Sequence, residues 1–183
     1  MAKYGIAFVL VLASLAADRK YGNAGRAAKP EESAARNITI SSSGAGLPTG
    51  SGTASAGKAI YESKCQECHG PKLEGNPEKQ YPALAGGIGS LTTPKPKKTV
   101  GSFWPYAPGL FDYIHRSMPY DQPRTLNASD AYAVTAYVLF VNGIVKEADA
   151  LTGKTLPQVK MPNRDGFVPD GRTPAPGKKT PGR

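Results

Sequence analysis

Three stretches of the chain carry apolar positions at helical spacing, and the segments between them are broken by proline and glycine. In the first, Ser55 caps a helix in which Ala56, Ala59, Ile60 and the body of Tyr61 face one way and Lys58, Glu62 and Lys64 the other. The second runs from about Pro108 through Leu110, Phe111, Tyr113 and Ile114 to Met118. The third opens at Asn127 with Asp130 at the third helical position. It presents Tyr132, Val134, Ala136, Tyr137, Phe140 and Val141 before Gly143 closes it. Gly57 has no side chain to hold a neighbour off, so the first helix is expected to sit against the Tyr137 face of the third. Pro71, Gly75, Pro77 and Pro82 forbid long regular structure between His69 and Ala85. Thr93-Pro-Lys-Pro-Lys-Lys98 reads as a basic surface loop. With helices and no convincing pair of alternating strands, the expected fold class is all-α, confined to residues 54–146.

Outside that segment the pattern changes. Lys3 precedes an apolar run from Gly5 to Ala13 that gives way to small residues at Ser14, Ala16 and Ala17, the layout of a secretory signal over residues 1–17. A membrane-spanning helix needs about 20 apolar residues and this run is shorter, so a cleaved signal is favoured over an uncleaved anchor, and no stable membrane span is expected after cleavage. Cleavage after Ala16, Ala17 or Ala24 fits equally. Residues 18–53 are rich in Gly, Ser and Ala without a period and read as a flexible linker. Residues 147–183 form a Pro/Gly-rich basic C-terminal extension. The formal charge of +9 resides mostly in these two arms. They either meet an acidic partner surface or are simply solvated.

Both cysteines of the chain fall in one pentapeptide, Cys65-Gln66-Glu67-Cys68-His69. Thiols at this spacing form two thioethers to one porphyrin, and the adjacent imidazole lies under the iron, so the motif predicts one covalently bound haem c. A zinc site needs further Cys or His ligands, and His115 is the sole other histidine. A redox dithiol would follow a strand, whereas here a helix precedes the motif. Export through the signal segment agrees with this chemistry and places the protein in the periplasm. Export and haem together also set aside a nucleic-acid role despite the basic balance. A proximal His69 needs an acceptor for its Nδ1 hydrogen, and the Pro82 carbonyl is a candidate. Trp104 Nε1 or the Tyr106 hydroxyl could donate to a haem propionate, or the aromatic cluster could fill space.

A helix ending in CxxCH, a later Met-Pro and a terminal Ala-Tyr helix resemble the class I cytochrome c fold over about Ala54 to Gly143. Longer strings carry a second likeness. They are Val100–Ala107, Leu110–Ile114, Arg116–Pro119 with Gln122-Pro123, Ala131–Val138 with Asn142-Gly-Ile144, and Met161-Pro-Asn-Arg-Asp-Gly-Phe167. These resemble the SoxD-type cytochromes of sulfane dehydrogenase and related cytochromes of sulfur oxidation. The resemblance implies an electron-accepting subunit whose partners are a molybdenum-containing sulfur dehydrogenase subunit, acting at sulfane or sulfite level, and a downstream electron carrier. The chain has one haem motif where some members of that family have two.

Three residues compete for the sixth iron position. Met118 precedes Pro119 shortly before the last helix, as the distal Met of class I cytochromes does. Met161 also precedes a Pro but falls after the terminal helix, where the resemblance implies a structural clasp. His115 is the third candidate. The expected axial pair is His69 and Met118, since thioether ligation raises the potential and suits an electron acceptor. No nucleophile stands beside a plausible base, so electron transfer rather than catalysis is expected. The alternatives are a five-coordinate haem protein that binds a small gas or peroxide, and a haem-containing scaffold that organises other subunits through its arms.

Overall fold

The computed structural model describes residues 25–168 as two units, 25–38 and 39–168. The signal segment expected over residues 1–17 lies outside the described residues. Among those described, no helix is long and apolar enough to cross a membrane. The first unit contains one short helix, α1 (Pro30–Arg36), where the Arg26 guanidinium pairs with Glu32 and the Lys29 N–H donates to the same carboxylate.

The second unit is built around α6 (Ala128–Val141), preceded by β1 (Ser51–Gly52), α2 (Ala54–Lys64), α3 (Gln66–His69), α4 (Val100–Phe103) and α5 (Ala107–Ser117). Single 3-10 turns occupy Ser90–Thr92 and Leu156–Gln158. Helix α6 is apolar nearly all round and buries every residue from Ala131 to Ala136, together with Val138 and Leu139, as a central helix must. Its ends follow the sequence expectation. The Asn127 side chain accepts from the Asp130 N–H at 2.9 Å. Past the C-terminus Gly143 takes φ +70, which lets its own N–H reach Phe140 O and that of Ile144 reach Leu139 O, a Schellman closure.

Helix α2 lies on one side of α6 and is turned differently from the sequence expectation. Thr53, not Ser55, caps it, accepting from the Ala56 N–H, while Ser55 Oγ reaches Glu147. The buried stripe is Ala54, Gly57 and Tyr61, with Ala56 and Ala59 exposed. The reason is steric: a Cβ on Gly57 would overlap the Ala133 carbonyl and lie 3.0 Å from Tyr137 Cβ, so the two backbones touch there. That contact is the approach to the Tyr137 face that Gly57 implied. Helix α5 covers another part of α6, burying Leu110, Phe111 and Ile114, and Phe111 packs on Tyr132 with ring centroids 4.3 Å apart.

The all-α expectation holds, with one small addition. β1 pairs antiparallel with β2 (Leu151–Thr152), Ser51 opposite Thr152 and Gly52 opposite Leu151. The folded body also exceeds residues 54–146 at both ends. Within the expected linker, the Pro48 carbonyl accepts from the buried Tyr132 hydroxyl at 3.0 Å, and Ile40 and Leu47 pack on the core. Within the expected extension, Leu151, Leu156 and Met161 are core residues, and Asn163 Nδ2 donates to the Phe103 carbonyl. The flexible reading of residues 18–53 and 147–183 is thereby corrected for 39–53 and 147–168, which burial and tertiary hydrogen bonds tie down.

Candidate haem site

The pentapeptide occupies the junction of two helices. Cys65 ends α2, its N–H donating to Tyr61 O at 2.8 Å, and its own carbonyl then accepts from the His69 N–H at 2.9 Å. Both thiols and the imidazole therefore fall on a single turn, and all three residues are half-buried. Burial pushes the free Cys65 thiol up to about 11, so at neutral pH it remains a thiol and resists the oxidation that a thiolate invites. Cys68 stands beside Tyr81 and holds that exposed phenol above its ordinary range.

Beyond Gly70 the chain folds back under the motif. His69 Nδ1 lies 2.9 Å from the Pro82 carbonyl. A proton on Nδ1 donates to that oxygen and leaves the Nε2 lone pair free for a metal. The intervening loop is held by its backbone. Gly75 N–H donates to His69 O, Asn76 and Tyr81 form a mutual bridge, and Leu84 and Ala85 both donate to the carbonyl of the fully buried Leu73. Asn142, just past α6, secures the far end of this loop. Its amide donates to Leu84 O at 3.1 Å and accepts from the Gly86 N–H at 3.2 Å. Thr99 Oγ1 adds a 2.6 Å bond to Gly86 O.

The three candidates for the sixth position differ in setting. Met118 is half-buried at the end of α5, its N–H bonded to Ile114 O, and Pro119 follows it. His115 stacks on Phe111 at 5.4 Å. Met161 is 3% exposed within the core, where a thioether contributes packing. Trp104 is half-buried and meets Tyr113 edge-on at 5.9 Å, while Tyr106 lies beneath the Arg164 guanidinium. Both aromatics thus have packing partners.

The family model described as Cytochrome c matches residues 54–141. Among solved structures, a chain in the sulfane dehydrogenase SoxCD from Paracoccus pantotrophus is similar with 40% identity and a TM-score of 0.73. The match covers 87% of this chain and 83% of that one. The chain belongs to the cytochrome c family. No curated protein matches it.

The cytochrome is an electron-transfer protein with covalently bound haem c, and the residues at its motif suit that group. Cys65 and Cys68 have the spacing for two thioethers, and the His69 ring already has its tautomer directed. Sequence reasoning reached Cys65, Cys68, His69 and Pro82 but missed three residues that bond the motif or its loop: Tyr61, whose hydroxyl donates to the Gly70 carbonyl, Thr99 and Asn142. A tyrosine on a buried helix face, where phenylalanine would pack as well, was the available signal for the first. An asparagine at the helix end directly before Gly143 was the signal for the last.

Proposed function

We propose that this cytochrome is an exported mono-haem carrier, which takes single electrons from a molybdenum-containing sulfur-oxidising dehydrogenase subunit and passes them to a further carrier. The observation that carries the reading is the 40% identity, over 87% of the chain, to a protein named as a sulfane dehydrogenase. In this reading Cys65 and Cys68 would hold the haem, His69 and Met118 would ligate its iron, and the Trp104 indole N–H would be offered to a propionate. Haem c supplies a one-electron ferric/ferrous couple. The protein's own task is to fix the ligands, exclude water and present a docking surface. Pro82 orients the His69 ring, and the Asn142 and Thr99 bonds keep the loop that carries Pro82 in place. Exposed lysines at 95, 97 and 98 give that surface positive charge.

Intact mass of the exported protein is expected to show one added haem, and peroxidase stain is expected to survive acid-acetone extraction. A mass without haem removes the attachment assignment. The functional test is stopped-flow reduction of the ferric cytochrome by the co-purified dehydrogenase with sulfite, thiosulfate or a sulfane donor. Substrate-dependent reduction is expected. Its rate should fall as salt contracts the Debye length below about 10 Å, because basic residues steer the encounter. No reduction with any donor, together with rapid carbon monoxide binding to the ferrous protein, would favour a ligand-binding role.

A further inference from the structure

We propose that Tyr61 is a positioning residue for His69: its buried hydroxyl donates to the Gly70 carbonyl at 2.7 Å and ties helix α2 to the peptide directly beyond the residue that presents the imidazole to the haem. The inference rests on the reading of His69 as the proximal ligand.

Tyr61 is 0% exposed and packs against Tyr137 with ring centroids 5.2 Å apart. Phenylalanine would supply the same ring, so the hydroxyl must be accounted for by its one bond. A buried hydroxyl without a partner would be costly. The acceptor does not depend on that bond, since Gly70 O also receives the Leu73 N–H at 3.2 Å. What the phenol adds is direction. Tyr61 stands one turn before Cys65 on α2, and its hydroxyl spans to the residue directly after His69, bracketing the whole pentapeptide.

His69 is thus held at four points: its own N–H on Cys65 O, the Gly75 N–H on its own carbonyl, Pro82 O at its ring, and Tyr61 on the next carbonyl. Three of these act on the backbone and one on the ring. Releasing the Tyr61 bond leaves the Gly70–Pro71 peptide, directly beyond His69, resting on the Leu73 N–H alone, and the loosened turn lets the imidazole shift against the haem.

The protein contains a matched control. Tyr132 is also 0% exposed, packs on an aromatic ring and donates its hydroxyl to a backbone carbonyl, that of Pro48, away from the pentapeptide. Tyr61→Phe and Tyr132→Phe should both lower the denaturant midpoint of the holoprotein. Only Tyr61→Phe should displace the hyperfine-shifted His69 and haem-methyl resonances of the ferric protein and change its midpoint potential. Displacement in neither variant, or equal displacement in both, overturns the proposal. Should the Phe variant not accumulate, 3-fluorotyrosine incorporated at Tyr61 is a stronger donor of nearly equal size. It should move the same resonances in the opposite sense, and unmoved resonances overturn the proposal. If the wild-type protein shows no hyperfine-shifted His69 signals at all, the ligand reading itself has failed, a result separate from either variant's.

Discussion

Met118→Ala is expected to abolish the far-red thioether-to-iron band of the ferric protein and to lower its midpoint potential. The shift should be a sizeable part of the roughly 0.8 V over which axial ligation sets haem potentials. A thioether favours ferrous iron, and water or another replacement ligand does not. Met161→Ala should do the converse. Its side chain is 3% exposed in the core, so truncation leaves a cavity and costs about 2–5 kcal/mol of stability, with band and potential nearly intact. The pair is therefore diagnostic. Loss of the band in Met161→Ala with its retention in Met118→Ala would transfer the ligand to Met161.

Gly57→Ala should destabilise the holoprotein by about 2 kcal/mol or more, measured by guanidinium unfolding. Two effects oppose each other. Alanine in a helix interior gains up to about 1 kcal/mol of propensity over glycine. Against that, the new methyl would collide with the Ala133 carbonyl, and backbone cannot swing aside as a side chain can. Overpacking typically costs about 1–3 kcal/mol, and here α2 cannot retreat freely because Gly52, just before it, also abuts Ala133. Gly109→Ala in α5 provides the contrast of sign. A Cβ there meets nothing within 4 Å, so only propensity acts and stability should rise by up to about 1 kcal/mol. If Gly57→Ala also stabilises, the close helix crossing is refuted.

The parts of the fold that were legible in the sequence are those governed by local chemistry. Asn127 and Gly143 bound α6 because a cap and a left-handed glycine are decided within a few residues. The bond from His69 to Pro82 O was legible because an imidazole that binds a metal needs an acceptor at its other nitrogen. What escaped was settled by distant partners. Leu151, Leu156 and Met161 recur every five residues, matching neither a helix nor a strand, and only the surface they cover makes them core. The β1–β2 ribbon is two residues long on each side, too short for any alternation to show. Thr53 and Ser55 can both cap a helix in isolation, and serine is the better cap. Burial of Ala54 and Gly57 against α6 is what selects Thr53.

The Asn142 tie has a consequence in the order of synthesis. The loop from Leu84 to Gly86 is anchored by a residue that lies 56 to 58 positions further along the chain. Helix α6, against which α2 must pack, starts at Ala128, about 60 residues after His69; at about 5–20 residues per second these take several seconds to make. For that interval Cys65, Cys68 and His69 exist on a chain with neither its central helix nor its loop anchor. The thiols are then as open to modification as in an unfolded peptide, and the loop beneath His69 gains its Asn142 anchor only once the chain has been made to that residue.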